Sequence, residues 1–173
     1  MTGKTAPRTV GALEHIPAET YCSAWTRLNA DIAFAVREDQ LHYLRMTALA
    51  MSDDLASLLL LKKLKLASRL RQGDVAPDLV EMNSFVEFRF GGGSRRFCRL
   101  LHPSICDSSF DLSIDSRLGA GIVGLRAGQE LQWPDKDGFL RELTVIAVKN
   151  GELARGRWRG APDGDDDPPP SAA

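Results

Sequence analysis

No CxxC pair occurs in this chain of 173 residues, and its three cysteines, Cys22, Cys98 and Cys106, give no closed disulfide framework. Long apolar runs are missing too. The leucine run Leu58 to Leu61 is far too short to cross a bilayer, and the stretch from Met1 to Val10 has charges but no leader-like apolar core. The expectation is a soluble, cytoplasmic protein without a membrane partner. Nor is either sign of charge in excess: 22 Lys and Arg stand against 23 Asp and Glu, a formal charge of −1, which leaves no overall basic footprint for wrapping nucleic acid. The signatures GxSxG, HExxH and the P-loop are all absent, and Gly91-Gly92-Gly93 is not followed by the Lys and Ser/Thr of a phosphate loop. His15, His42 and His102 are far apart, with no second ligand type at metal spacing. No catalytic residue, metal, cofactor or small-molecule substrate is expected, so the chain reads as a non-enzyme.

What is present divides by composition. Thr2 to Ala12 has almost no large apolar residue, and residues 1–17 read as a disordered tail. After Pro17, the spacing of Tyr21, Trp25, Leu28, Ile32 and Ala35 predicts an amphipathic helix over 18–36. Leu41, Leu44, Ala48 and Met51 repeat the pattern. Ser52-Asp53-Asp54 then interrupts it before a second run of strong helix formers from Leu55 to Arg71, with Arg69 and Arg71 in its last turn and Gly73 as its stop. Residues 18–73 therefore read as a helical region containing a short antiparallel hairpin, or coiled coil.

Beyond Pro77 the period changes to two. Val86, Phe88 and Phe90 mark a strand, Gly91 to Gly93 a hairpin turn, and Phe97 and Leu101 its partner. Phe110, Leu112 and Ile114 alternate again, Arg117 to Leu125 suggests a short helix, and Pro134 to Gly138 turns between two further strands. The fold class expected is α+β, with a small antiparallel β-domain over 77–149 and a second disordered tail over 150–173.

Four stretches of this second half resemble the Gre-type (GreA/GreB) transcription elongation factors, in particular their Rnk branch. They are Pro77 to Ser84, with Met82 and Asn83; Leu101-His102-Pro103; Leu118-Gly119 through Gly124-Leu125; and Gly128 to Trp133-Pro134. The resemblance implies an FKBP-like β-domain that docks on RNA polymerase at the rim of the secondary channel, with a helical arm reaching inward and only indirect contact with DNA or RNA. In full-length Gre factors an acidic arm tip helps hold a catalytic Mg²⁺ of the polymerase. The Rnk branch has a shortened arm and takes its name from an effect on nucleoside diphosphate kinase. Two departures stand out: Arg117 occupies a position where proline is usual, and the segment before Leu41 is longer than the Rnk pattern.

Asp53 and Asp54, at the hairpin tip, suit a hard cation, or else Ser52 or Asp53 caps the second helix, whose dipole acidic residues also complement. Arg95, Arg96 and Arg99 could meet an acidic polymerase surface or nucleic acid, or simply solvate an outer strand face. The tail Arg155-Gly156-Arg157-Trp158-Arg159 could stack on bases or be solvated. Phe88, Phe90, Phe97 and Trp133 would line a prolyl isomerase pocket if the FKBP-like domain were active, but read more simply as core.

Overall fold

The computed structural model describes residues 16–151, so most of both expected tails, and the basic stretch 155–159, lie outside the described residues. Helix α1 (Ala18–Leu28) follows Pro17 and buries Trp25 completely. It was expected to reach Val36. It stops because the Asn29 side chain turns away, its amide donating to the Trp25 carbonyl at 2.8 Å while its oxygen accepts the Gln132 N–H at 2.8 Å. Leu28, placed by periodicity on the inner face, is 61% exposed.

The residues that would have continued that helix form strand β1 (Ala35–Arg37). Helix α2 (Glu38–Ala50) follows, with Glu38 and Asp39 at the positive end of its dipole, and its apolar positions Leu44 and Ala48 are fully buried. Three residues, Met51 to Asp53, lead into α3 (Asp54–Leu66). This second helix is also shorter than expected, 13 residues or about 20 Å at 1.5 Å rise. The cause is strand β2 (Ser68–Leu70), which pairs parallel to β1, so that Arg69 and the residues around it leave helical geometry. Gly73 is not the helix stop. Ala67 is the C-cap, and Lys63 and Lys65 rather than Arg69 and Arg71 occupy the last turn.

The main sheet holds five strands: β3 (Phe85–Phe90), β4 (Arg96–Leu101), β5 (Asp111–Ser113), β6 (Glu130–Pro134) and β7 (Leu140–Lys149), in the order β5-β4-β3-β7-β6. Both expected hairpins are present in chain order, but the sheet is mixed rather than antiparallel. β5 runs parallel to β4, with Arg99 opposite Asp111. A tight turn gives antiparallel neighbours; here residues 102–110, including a 3₁₀ turn (Pro103–Ile105), travel back first, so the next strand starts beside the middle of β4. Inward positions on β4 are Cys98 and Leu100, while Phe97 is half-buried. A register shift in β3 between Glu87 and Phe88 breaks the alternation there, leaving Glu87 buried with Val86 and Phe88.

Between β5 and β6 lies α4 (Arg117–Ile122), capped by the Ser116 hydroxyl oxygen, which accepts the Gly119 N–H at 3.0 Å. The main apolar core joins both halves: Trp25 from α1, Leu44 from α2, Leu59, Leu60 and Leu64 from α3, Ile122 from α4 and Leu131, Trp133, Leu143 and Val145 from the sheet, with a smaller cluster of Ala35, Ala76 and Leu79 beside β1. The helical half is therefore packed onto the β half rather than standing apart from it.

Candidate functional site

The sheet and α3 converge on α4. Trp133, fully buried on β6, donates its indole N–H to the Arg117 carbonyl at 2.8 Å, fixing the first turn of α4 against the sheet. Gly119 lets α4 lie across β5: a Cβ there would sit 2.0 Å from the Ser113 carbonyl oxygen. Gly124, at φ +78°, ends the segment where its carbonyl accepts the Ala35 N–H at 3.1 Å and ties β1 to the domain.

Two charged groups join α3 to this short helix. At the N-terminal end of α3, Asp53 is the N-cap, its Oδ1 accepting the Ala56 N–H at 3.0 Å, while its Oδ2 meets the Arg117 guanidinium at 2.5 Å. Burial works against ionisation of Asp53, but the Arg117 hydrogen bond, the capped N–H groups and the Arg117 charge outweigh it and hold the carboxyl below its usual value. Near the C-terminal end, Lys63 is 1% exposed and donates to the Ala120 and Gly121 carbonyls at 2.5 and 2.8 Å. Its ammonium also lies 5.2 Å from the Trp133 ring centre and 5.9 Å from that of Phe34. Burial holds it well below the ordinary lysine pKa. α3 thus lies along α4, clasped at both ends.

A double-mutant cycle with Asp53→Ala and Arg117→Ala tests the first clasp. Both side chains are about a quarter exposed, so the expected coupling is about 0.5 to 1 kcal/mol by urea unfolding. Asp53→Ala alone should cost about 1 kcal/mol more, because the helix loses its cap as well. With the folded carboxyl depressed, this contribution is present at neutral pH and fades as pH falls through the Asp53 pKa.

The other sequence candidates are spread around this centre. Asp54 is exposed in the first turn of α3 and makes no ion pair with another described residue. Arg95 pairs with Glu87 at 3.1 Å and Arg99 with Asp111 at 3.2 Å, which neutralises both, whereas the Arg96 side chain has no such partner among the described residues. The three arginines lie around β4, away from Asp53 in chain and sheet position. The family-motif positions build the frame. Asn83 takes φ +69° and its N–H bonds the Leu100 carbonyl, Ser84 is fully buried against Asn150, and Pro103 opens the 3₁₀ turn. Leu125 and Trp133 are core, Pro134 closes β6 beneath the turn, and Leu118 packs against the core. Met82 also packs there, Gly128 is in the left-handed region at φ +85°, and Pro77 is exposed ahead of Leu79.

Sequence reasoning missed Lys63 and the Asp53 to Arg117 contact. A signal for Lys63 was available: Ala56, Leu59, Leu60 and Leu64 define an i, i+3, i+4 stripe on which position 63 falls. Among the described residues no cluster of His, Cys, Asp or Glu could hold a metal ion, and no helix is long and apolar enough to cross a membrane.

The fold is that of the Gre-type factors. It matches the prokaryotic transcription elongation factor GreA/GreB from Nitrosomonas europaea with a TM-score of 0.54 and 23% identity, covering 68% of this chain and 98% of that one. In sequence the chain is similar to proteins named regulator of nucleoside diphosphate kinase. It is 35% identical over 83 residues to the proteins of that name from Escherichia coli (strain K12) and Shigella flexneri. The matched residues are 47% of this chain and span 61% of the length of those relatives. No family model matches the chain.

Proposed function

We propose that this chain is a non-enzymatic regulator that binds RNA polymerase at the secondary channel through an FKBP-like β-domain and modulates elongation without stimulating transcript cleavage. The observation that carries the first half is the α+β fold shared along nearly the whole of an elongation factor, together with homology to a named regulator. Fold alone does not dictate function, so the second half rests on the site. A carboxylate that served the polymerase would have to be free at the tip of an arm. Asp53 is instead committed to the α3 cap and to Arg117, and α3 is 13 residues long and shares the core of the sheet. Asp54 and Arg96 remain available as contacts on the polymerase side, with Arg95 and Arg99 already paired.

The test is transcript cleavage by a backtracked elongation complex, first with this protein alone and then with an active Gre factor added. The expected result is no acceleration alone and inhibition of the added factor. Acceleration that disappears in Asp53→Ala with Asp54→Ala would overturn the non-cleaving reading. No effect in either arm, with no polymerase recovered by the tagged protein, would overturn polymerase binding.

A second reading is favoured by the relatives' name: regulation of nucleoside diphosphate kinase. Deleting the gene and measuring both kinase amount and specific activity separates the routes. A polymerase-bound regulator alters amount, a direct inhibitor specific activity. The prolyl isomerase reading has less to support it, because Phe88 and Trp133 are 2% and 0% exposed and fill the core.

A further inference from the structure

The outward face of α3 carries a charge gradient across an apolar stripe. Asp54 stands at its N-terminal end, Leu55, Leu58 and Leu61 follow at helical spacing, and Lys62 and Lys65 stand at its C-terminal end. Two open grooves flank this face and meet at Ala18 and Leu58. One, of about 670 Å³, is lined by Ile16, Tyr21, Leu55, Leu58, Phe139 and Leu140, with Asp54 and Asp137 at its edge. The other, of about 310 Å³, lies beside Cys22 and Leu61, with Lys62 and Lys65 on its α3 side and Glu19 of α1 across from them. Ile16 and Phe139, 50% and 49% exposed, line the same groove, so the apolar surface here is contiguous rather than scattered.

We infer that this face is where a second copy of the chain docks, about a two-fold axis passing near Leu58. An isologous interface uses the same patch on both partners, so the patch must complement itself. This one does: turning a copy by half a turn about Leu58 lays the acidic end of one α3 on the basic end of the other, with leucines between them. Asp54 and Lys62 stand four residues on either side of Leu58, about 12 Å apart along the helix, so each meets the other's counterpart and both charge contacts form at once. A partner helix of uniform charge would meet repulsion at one end. Among the described residues Asp54, Lys62 and Lys65 form no ion pair within their own chain, so all three are free to serve a partner. The inference goes beyond polymerase binding and does not depend on it.

The test is sedimentation equilibrium of the full chain from micromolar to millimolar concentration. A monomer–dimer equilibrium is expected, weakened at least about tenfold in Kd by Leu58→Asp. Asp54→Lys alone, and Lys62→Glu with Lys65→Glu alone, should each lose the dimer through like-charge contacts. An equimolar mixture of those two chains should regain it, because each end then meets its opposite. Circular dichroism of each variant reports folding independently. A monomer at every concentration, a dimer indifferent to Leu58→Asp, or a mixture no stronger than its components would each overturn the inference; the first would leave the groove to another occupant, including the chain's own N-terminal residues.

Discussion

Gly119→Ala is expected to destabilise the chain strongly, with a loss of about 3 kcal/mol or more in urea unfolding. The added Cβ would fall 2.0 Å from the Ser113 carbonyl oxygen, with the Ser113 carbonyl carbon at 2.9 Å and the Ile114 Cα at 3.0 Å. All three are backbone atoms of β5 and its exit, so no flexible side chain can swing aside. α4 would have to lift from the sheet. That movement carries Arg117 away from Asp53, the Ala120 and Gly121 carbonyls away from Lys63, and the Arg117 carbonyl away from Trp133. A fold that tolerates Gly119→Ala with less than about 1 kcal/mol of loss would mean that α4 is not held where described.

Lys63→Ala is expected to cost about 3 kcal/mol, and Lys63→Met to change the response to pH. The alanine leaves a cavity beneath Phe34 and Trp133 and strands two buried carbonyls, each worth about 1 kcal/mol when its donor is lost. The methionine fills the space and removes the charge. Because burial lowers the Lys63 pKa in the folded state, the unfolded chain binds more protons between that lowered value and the ordinary 10.5. Stability then rises with pH across that window, and the penalty of the buried cation is full below it. The wild-type chain should therefore gain stability as pH rises towards 9.0, and Lys63→Met should gain less. The comparison stops there because burial, aided by the Asp111 charge, pushes the Cys98 thiol from 9.0 up to about 12, an opposite slope at higher pH. Equal slopes in the two chains would show that Lys63 does not titrate as a buried group.

Both effects come from contacts that join distant parts of the chain, which explains how much could be read in advance. The β half was legible because its signals are local: alternation in Val86, Phe88 and Phe90, three glycines at a turn, and Pro134 to Gly138 between two strands. The helices were legible in existence but not in extent. Leu28, Ile32 and Ala35 keep helical spacing, yet Asn29 gains more from the backbone of Gln132 than from another turn, and nothing local encodes a partner 103 residues away. Ser68 to Leu70 likewise looked helical until β1 offered it a ladder. The parallel pairing of β4 and β5 depended on the path of a loop rather than on any strand residue. At the candidate site, Asp53 was legible as a cap from its place before Leu55. Its second partner was not, since Arg117 lies 64 residues on and stands out only as an unusual residue in the family pattern.

The hold of α1 on β6 also bears on how the protein behaves when crowded. β6 is the last strand of the sheet, and an open strand edge invites the same edge of another molecule to join it. Here the Trp25 indole donates to the Gln132 carbonyl at 2.7 Å and the Asn29 amide oxygen accepts the Gln132 N–H at 2.8 Å, so two side chains occupy the hydrogen-bonding positions that a foreign strand would need. α1 thereby covers the edge against fibrous stacking, and a chain trimmed of it would be expected to lose solubility, since both that edge and the core under Trp25 would be laid open.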